Sequence, residues 1–302
     1  MSGHGSRGKL DADGLFQDLR LAEPFFLIAG PNVIESEEHA LGMCRELQRI
    51  CEEHEIPFVY KSSFDKANRT SISSFRGHGI ESGVRVLKQV KTTFNVPVIT
   101  DIHTKEQAHP VSEVADIIQI PAFLCRQTDL LVAAGETGRV VNIKKGQFCA
   151  PSVIRNSVEK VFSTGNKNVL VCERGTMFGY SDLVVDPRNI VLMRDAGCPI
   201  VADVTHSLQQ PAGIVGAGGS VSSGGLRELI PTIARTCVAT GVDGIFMEVH
   251  NDPIASPVDA ATQWPLRHLS ELLSELKAIA RASKGRQETH TGAVVDLTPF
   301  KL

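Results

Sequence analysis

The sequence predicts a single (β/α)8 barrel, and two observations lead to that prediction. Eight short runs rich in apolar residues recur along the chain, and each of them ends in polar residues. Segments with helical periodicity separate these runs. Near-continuous apolar strands that alternate with helices are typical of a parallel sheet, and eight such units are enough to close the sheet into a barrel. At 302 residues, the chain has the length of one such domain.

The predicted strands begin with FFLIAGPN and end with GIFMEVHND. Their ranges are 25–32, 57–64, 96–103, 116–123, 139–146, 168–175, 199–206 and 244–252. An open, doubly wound sheet is the competing architecture. It is disfavoured because no G-x-G-x-x-G segment directly follows the first run, and because polar residues end every strand instead of gathering at one switch point.

The predicted helices occupy the intervals between the strands. In the first, 36–54, Ser36 can cap the amino end while Leu41, Cys44 and Leu47 fall on one face. The others cover 79–92, 104–114, 127–135, 152–163, 187–196, 224–240 and 261–283. The barrel domain is predicted to span residues 21–285, with an N-terminal extension at 1–20 and a C-terminal tail at 286–302.

One connection differs from the rest. The segment LQQPAGIVGAGGSVSSGG, residues 208–225, is predicted to be too glycine-rich for stable structure of its own. Long loops in compact domains usually have a function, so a mobile lid after the seventh strand is expected. A surface insertion without function is the alternative.

Composition and charge exclude several classes of protein. The chain is 42% hydrophobic and 22% charged, as is usual for a globular protein with a sizeable core. A net charge of −3 gives no reason to expect nucleic acid or an anionic membrane as a partner. No run of about 18 apolar residues predicts a membrane span, and the start lacks the apolar stretch of a signal peptide. Seven cysteines without a C-x-x-C pair predict reduced core thiols and a cytoplasmic protein.

Polar and charged side chains follow every predicted strand. The carboxyl ends of parallel barrel strands meet at one mouth, so these side chains are expected to converge there. They are Asn32, Glu35, Lys61, Ser63, Asp65, Lys66, Asn68, Arg69, Asp101, His103, Gln119, Arg126, Asn142, Lys144, Gln147, Glu173, Arg174, Asp203, His206, Glu248, His250, Asn251 and Asp252. Any one of them alone is more often a solvated charge or a structural hydrogen-bonding group than a functional residue.

Five of these side chains are cations that would meet at one rim: Lys61, Lys66, Arg69, Lys144 and Arg174. Two unit charges about 4 Å apart repel by ~4 kcal/mol at an effective dielectric constant of about 20. Such a cluster is expected to persist only when anions fill it. Lysine and arginine together suit phosphate and carboxylate groups. The pattern therefore predicts a site for a pair of phosphorylated small molecules.

Eight ordered motifs resemble one family, the 3-deoxy-D-manno-octulosonate-8-phosphate synthases. They are LIAGPNVIES (27–36), KSSFDKANRTSISSFRGHG (61–79), ITDIH (99–103), IQIPAFLCRQTDLL (118–131), NIKKGQF (142–148), ERGTMFGY (173–180), DVTHSLQQP (203–211) and EVHNDP (248–253). The AGPNVIES and KANRTS forms are similar to plant-type members. The resemblance implies a (β/α)8 barrel, generally a homotetramer. It also implies condensation of phosphoenolpyruvate with D-arabinose 5-phosphate and water, with release of inorganic phosphate.

The resemblance also implies roles for single positions. The implied phosphoenolpyruvate ligands are Lys61, Ser63, Lys66, Lys144, Gln147 and Arg174. The implied arabinose-5-phosphate contacts are Asn68, Arg69, Thr70, His206 and, from a neighbouring subunit, Arg126. The implied catalytic set is Lys144, Asn32, His206, Glu248, Asp259 and Asp101. Within it, Lys144 would polarise or protonate the developing alkoxide, and His206, Glu248 and Asp259 would position and deprotonate a water molecule.

The family has metal-dependent and metal-independent branches. The metal ligands are a cysteine, a histidine, a glutamate and an aspartate, at the positions of Asn32, His206, Glu248 and Asp259 here. An asparagine in place of the thiolate makes a much poorer transition-metal site, so neither a metal nor another cofactor is expected. One departure concerns Asp259, which is followed by AATQW where family members often continue with glycine.

Two alternatives remain beside this interpretation. The first is the related 3-deoxy-heptulosonate-7-phosphate synthase, which uses erythrose 4-phosphate and a metal; KANRTS in place of a KPRT-type segment, together with Asn32, disfavours it. The second is a catalytically silent barrel that binds phosphosugars. Loss of a central cation would be expected there, and none is lost. The residues leave open whether the product serves bacterial lipopolysaccharide or a plant cell-wall polysaccharide.

Overall fold

Eight parallel strands close into a barrel in the computed structural model, which describes residues 11–69, 71–215 and 221–289. They are β1 (Phe26–Gly30), β2 (Phe58–Lys61), β3 (Val98–Asp101), β4 (Ile117–Ile120), β5 (Val140–Lys144), β6 (Val169–Glu173), β7 (Ile200–Asp203) and β8 (Gly244–His250). Each lies within a predicted range. Neighbours along the chain pair in parallel, and β8 returns to β1 with Phe26 opposite Gly244 and Gly30 opposite Glu248. The predicted barrel is thereby confirmed, and the open sheet is excluded.

Nine helices accompany the strands in the described ranges. They are α1 (Ala12–Arg20), α2 (Glu37–Glu53), α3 (Gly79–Phe94), α4 (Ala108–Ser112), α5 (Thr128–Glu136), α6 (Ile154–Phe162), α7 (Pro187–Met193), α8 (Ile230–Thr240) and α9 (Leu269–Thr289). Ser36 caps α2 as predicted, because its Oγ accepts a 3.0 Å hydrogen bond from the backbone N–H of His39. Helix α9 begins later than predicted, since Trp264–Pro265 pairs with the end of β8.

Helix α1 packs against the interior of the barrel. Its side chains Leu15, Phe16 and Leu19 are buried in one cluster with Phe26 and Ile28 of β1 and the inward-facing residues of the other strands. The segment predicted as an N-terminal extension therefore contributes core at the end opposite the carboxyl ends of the strands. At the other terminus, α9 continues to Thr289, so the boundary predicted at residue 285 lies inside a helix.

The prediction that residues 208–225 are too glycine-rich for stable structure was wrong for the residues that the structure describes, while the lid after the seventh strand stays a prediction. Gln209–Val215 and Val221–Gly225 form an antiparallel hairpin, in which Gln209 pairs with Gly225 and Val215 with Val221. The two strands satisfy each other's backbone groups, so glycine does not prevent pairing here. A Cβ atom at Gly225 would lie 2.1 Å from Cγ2 of Thr262, so the residue must be glycine for the hairpin to pack this closely. The predicted helix 224–240 accordingly starts only after this strand.

The seven cysteines are all free and buried, as predicted from their spacing. Burial raises the pKa of the thiols of Cys198 and Cys237 to about 12, which is typical of inert core residues. Within the part of the chain that the structure describes, no helix is both long and apolar enough to span a lipid bilayer.

Candidate active site

A cavity of about 380 Å³ opens at the carboxyl ends of the barrel strands. All five predicted cations line it: Lys61, Lys66, Arg69, Lys144 and Arg174. Lys61 ends β2 and Lys144 ends β5, while Arg174 directly follows β6. These three side chains are 1%, 5% and 5% exposed, so the barrel holds positive charge in its interior. Asn68, Asp101, Gln147, His206 and Asp259 also line the cavity.

Buried carboxylates pair with the innermost cations. Nζ of Lys61 lies 3.0 Å from Oε1 of Glu248, and Nζ of Lys144 donates to Oδ2 of Asp203. Both carboxylates are almost fully buried. This corrects the expectation that only bound anions could hold the cations together, because the chain itself supplies part of the compensating charge. Arg69 and Arg174 have no such carboxylate partner among the described residues, and they leave positive charge facing the cavity.

The paired carboxylates remain ionised. Burial raises the pKa of Glu248, but the charges of His206 and Lys61 outweigh burial and hold that pKa well below its usual value. Burial likewise raises the pKa of Asp203, and the charges of His206 and Lys144 again outweigh it, so the net pKa is low. Fixed negative groups therefore lie directly behind the cations of the deep cavity wall.

A second cluster follows β2 and β3. Ser63 donates to Asp101 and accepts a 2.8 Å hydrogen bond from Nζ of Lys66, while Nε2 of His103 lies 3.0 Å from Asp101. Burial, followed by the charge of Lys61, lowers the pKa of Lys66 to about 8. Lys66 therefore changes charge near neutral pH, unlike an ordinary lysine.

His206 lies between three carboxylates. Its Nδ1 is 2.7 Å from Oδ2 of Asp203, and its backbone N–H donates to Oδ1 of the same residue at 2.9 Å. On the other side of the ring, Nε2 lies 3.3 Å from Oε1 of Glu248 and 4.0 Å from Oδ2 of Asp259. Asp203 thus fixes the orientation of the imidazole, whose Nε2 faces the carboxylates of Glu248 and Asp259.

Asn32 joins the same two carboxylates. Its Nδ2 donates to Oε2 of Glu248 at 2.6 Å and to Oδ2 of Asp259 at 2.9 Å. Its Oδ1 has no hydrogen-bond partner among the described residues. Asn32, Ser63 and Glu248 are fully buried behind the cavity wall and do not line it.

The residues at the family's metal position are joined by the side-chain amide of Asn32. His206, Glu248 and Asp259 each offer a ligand atom within 4.8 Å of the others. However, the Asn32 amide presents N–H donors, and the facing oxygens of both carboxylates already accept them. A cation at that position is bound through lone pairs of its ligands, but in this structure the N–H groups of Asn32 point toward the two carboxylates.

A second group of potential ligands lies away from the cavity. Glu35, His39 and His250 also have ligand atoms within 4.8 Å of one another. Nδ1 of His250 accepts the backbone N–H of Asp252 at 2.9 Å, so the ring proton is on Nε2, which donates to Glu35 at 2.9 Å. With both ring nitrogens engaged, His250 holds the loop after β1 against the end of β8 rather than offering a lone pair to a metal.

Several residues expected at the mouth lie elsewhere. None of Glu35, His250, Asn251 and Asp252 lines the cavity. Asp65 pairs with Arg76, and Glu173 is buried beside Lys145. Arg126 is exposed and lies outside the cavity of its own chain. Thr70 lies outside the described residues. The expectation that every polar strand end converges on one mouth was therefore too broad, because half of the positions after each strand turn away from the barrel axis.

The profile of the DAHP synthetase I family matches residues 21–284. The chain belongs to this family. A 2-dehydro-3-deoxyphosphooctonate aldolase of Pisum sativum is 64% identical over 287 residues, which cover 95% of this chain and 98% of that one. The 2-dehydro-3-deoxyphosphooctonate aldolase 1 of Arabidopsis thaliana matches with the same identity and coverage. A bacterial aldolase of the same name, from Trichlorobacter lovleyi, is 53% identical over 253 residues, 84% of this chain and 91% of that one. That name and 3-deoxy-D-manno-octulosonate-8-phosphate synthase denote one enzyme.

One residue of this DAHP synthetase I family member was missed by the sequence interpretation. Gln209 lines the cavity at the base of the hairpin, and it contacts both Arg174 and Asp259. The sequence signal was its position six residues after the end of β7, within the motif DVTHSLQQP, although no role was assigned to it there. Ser223, from the returning strand, also lines the cavity.

Proposed function

We propose that this chain condenses phosphoenolpyruvate with D-arabinose 5-phosphate and water, giving 3-deoxy-D-manno-octulosonate 8-phosphate and inorganic phosphate. The main supporting observation is the cavity lined by five cations, in a chain 64% identical over 95% of its length to an aldolase of Pisum sativum named for this chemistry. Two anionic substrates repel each other in water, and a preformed positive site offsets that repulsion.

Phosphoenolpyruvate is assigned to the deep part of the cavity. Its proposed ligands are Lys61, Lys66, Lys144, Gln147 and Arg174, whereas Ser63, expected among them, lies behind the wall and hydrogen-bonds to Nζ of Lys66. The assignment is supported by the burial of Lys61, Lys144 and Arg174 and by the position of Gln147 in the cavity lining. Arabinose 5-phosphate is assigned to the outer part, with Asn68, Arg69, Thr70 and His206 as contacts. This agrees with the greater exposure of Asn68 and Arg69.

The reaction begins when C3 of phosphoenolpyruvate attacks the aldehyde carbon of the sugar. Negative charge then develops on the carbonyl oxygen, and Lys144 is proposed to stabilise or protonate it. The ammonium group lies 3.6 Å from the ring centroid of Phe246 and donates to Asp203, so it is held in one orientation. A fixed ammonium group requires no reorganisation as the alkoxide forms. Asp101 contacts both Ser63 and His103, and it thereby fixes the ends of β2 and β3 on the adjacent side of the cavity.

Water then adds to C2, and the resulting hemiketal phosphate releases inorganic phosphate by C–O cleavage. His206, Glu248 and Asp259 are proposed to position and deprotonate this water. Of the two carboxylates, Asp259 is the better placed to take the proton, because it lines the cavity and accepts only neutral amide donors among the described residues. Glu248, by contrast, is buried and paired with Lys61. A carboxylate bonded to a lysine is a weaker base.

We infer that the reaction needs no metal. The support is the Asn32 amide, whose N–H groups satisfy the carboxylate oxygens at the position where metal-dependent family members would bind a cation. Nδ2 of Asn32 thereby orients Glu248 and Asp259 in place of an ion.

We also propose that the protein acts as a homo-oligomer, most simply a tetramer. Arg126 is exposed and outside its own cavity, as expected for a residue offered to a neighbouring site. Large apolar side chains are exposed in the loops that follow β4, β5 and β6: Phe123 and Phe148 are about half exposed, and Phe178 and Tyr180 are 66% and 90% exposed. Apolar surface of this kind is usually covered by a partner. The seven free cysteines support a reducing compartment such as the cytoplasm.

The deciding experiment is an assay of phosphate release with a chelator such as EDTA present throughout. We expect one phosphate per phosphoenolpyruvate consumed when arabinose 5-phosphate is the co-substrate, and little release without it. Erythrose 4-phosphate serves as the competing co-substrate. Turnover with the four-carbon sugar and none with arabinose 5-phosphate would assign the chain to heptulosonate synthesis instead. Binding of both substrates without turnover would indicate a silent phosphosugar-binding barrel.

A further inference from the structure

We propose that Gln209 is a positioning residue that holds the carboxylate of Asp259 and the guanidinium of Arg174 in one fixed relation. The inference rests on the proposed function, in which Arg174 binds phosphoenolpyruvate and Asp259 takes the proton of water. Gln209 is the first residue of the hairpin strand Gln209–Val215, and its side chain reaches into the cavity.

The side-chain amide of Gln209 contacts two groups of opposite charge. Its Oε1 accepts a hydrogen bond from Nη2 of Arg174 at 3.4 Å, and its Nε2 donates to Oδ1 of Asp259 at 3.0 Å. The side-chain amide offers an acceptor to the cation and a donor to the carboxylate from one planar group. The reversed orientation would oppose N–H to N–H and oxygen to oxygen. The charges of Arg174 and Asp259 therefore fix the orientation of the Gln209 amide. The amide in turn holds the guanidinium and the carboxylate at a fixed distance from each other.

The base of the hairpin is joined to the loop that carries Asp259. Gly225, the register partner of Gln209, packs directly against Thr262 without room for a Cβ atom. Nη2 of Arg227 donates to the backbone oxygen of Ala260. Two further contacts therefore accompany the Gln209 side chain, and they join the hairpin base to the 259–262 loop.

Asp259 needs such support because its own backbone is unusual. Its φ angle is 48°, in the left-handed region that aspartate tolerates better than most residues. Within the described ranges, the hydrogen bonds to its carboxylate come from two amides, Asn32 on Oδ2 and Gln209 on Oδ1. Loss of Gln209 would leave the carboxylate held from one side, free to rotate away from the water it must deprotonate.

The test compares Gln209→Met, Gln209→Glu and the control Gln210→Met with the wild-type chain. Met has nearly the volume of Gln but cannot hydrogen-bond to either partner. We expect Gln209→Met to lower kcat by about 100-fold, as misplacement of a catalytic group by about 1 Å does, while KM for arabinose 5-phosphate changes less than about twofold. Gln210 is the next residue on the strand and points to the opposite face, so its variant is expected to behave as wild type.

Gln209→Glu supplies the readout that a merely structural residue would not give. Its carboxylate keeps the contact with Arg174 but opposes the carboxylate of Asp259. Two adjacent carboxylates share a proton, which raises the pKa of one of them. We therefore expect the acid limb of the kcat profile to move to higher pH in Gln209→Glu, and KM for phosphoenolpyruvate to stay near the wild-type value.

The outcomes separate the inference from the function beneath it. A wild-type chain without turnover on arabinose 5-phosphate overturns the proposed function. An active wild type whose Gln209 variants keep wild-type kcat and an unmoved acid limb overturns the role of Gln209 alone. If Gln209→Met melts early or precipitates, the pH profile of kcat in Gln209→Glu is the deciding measurement. A folded Gln209→Glu variant whose acid limb lies at the wild-type pH contradicts the proposal.

Discussion

The side-chain amide of Asn32 donates a 2.6 Å hydrogen bond to Glu248, a residue 216 positions further along the chain. The same amide nitrogen bonds Asp259 at 2.9 Å. Two carboxylates that would repel each other are therefore bridged by a neutral donor rather than by a cation. This relation links the barrel's first strand end to its last, and it is the observation behind the proposal that the site needs no metal ion.

Replacing Asn32 by cysteine is expected to create a metal-responsive enzyme. The thiolate would complete a set with His206, Glu248 and Asp259, which suits zinc or a similar transition metal. We expect Asn32→Cys to lose activity on treatment with EDTA and to regain it with divalent metal, while the wild type responds to neither. Asn32→Ala is the matched control, since it removes the amide without adding a ligand. Chelator-sensitive, metal-restored wild-type activity would contradict the metal-free interpretation.

Lys144 is expected to matter for turnover and for stability at once. Its removal would take one of the two charged partners from the buried Asp203 and leave His206 as the other, at a cost of up to about 3–5 kcal/mol of unfolding free energy. The double variant Lys144→Met/Asp203→Asn removes both charges and is expected to melt closer to the wild type. Turnover should still fall by about 10²- to 10⁴-fold, since the alkoxide loses its proton donor. Thermal melts and kcat are the measurements, and near-normal turnover in the double variant would reject the central role of Lys144.

Lys66 is expected to make phosphoenolpyruvate use sensitive to mildly alkaline pH. Burial and Lys61 lower its pKa from 10.5 to about 8, so it loses its proton as the pH rises through that value. The protonated amine binds anions, and kcat/KM for phosphoenolpyruvate should therefore fall up to tenfold per unit above about pH 8. In Lys66→Arg the guanidinium stays charged, and that limb should disappear. If kcat/KM falls above pH 8 in Lys66→Arg as it does in the wild type, the group that titrates is not Lys66.

The same pKa shift affects stability in the opposite sense. Because the folded state disfavours the protonated amine, the destabilising contribution of Lys66 is fully present below about pH 8 and shrinks as the pH rises toward 10.5. We expect Lys66→Met to raise the unfolding free energy at neutral pH, with the gain shrinking toward alkaline pH. Chemical denaturation at several pH values measures it. A gain that increases with pH would contradict the sign of the shift.

Arg126 is expected to act in the site of a neighbouring subunit. Arg126→Ala should raise KM for arabinose 5-phosphate and leave phosphoenolpyruvate binding unchanged. Co-expression of this variant with Lys144→Met/Asp203→Asn tests the arrangement directly. With random assembly, about one quarter of the sites combine an intact Lys144 with an intact Arg126 from the neighbour, so that fraction of activity should return. No recovery in mixed oligomers would show that Arg126 does not cross the interface.

Local pattern was enough to predict the barrel. Apolar runs of strand length and the periodicity of segments such as 36–54 depend on neighbours in sequence, and all eight strands lie where they were predicted. The hairpin after β7 was missed for the same reason. In this hairpin, Gln209 pairs with Gly225, which is distant in sequence, and Gly225 packs on Thr262. Neither contact can be predicted from the composition of the segment.

The sequence by itself determined which residue types stand at the strand ends, including the five cations and the asparagine in place of a thiolate. Only the tertiary structure decided their partners. Lys61 lies against Glu248, 187 residues away, and Gln209 lies between Arg174 and Asp259. Strand order and barrel closure bring these groups together, and burial then sets their charge states, because desolvation and close counter-charges act over a few ångströms and not along the chain.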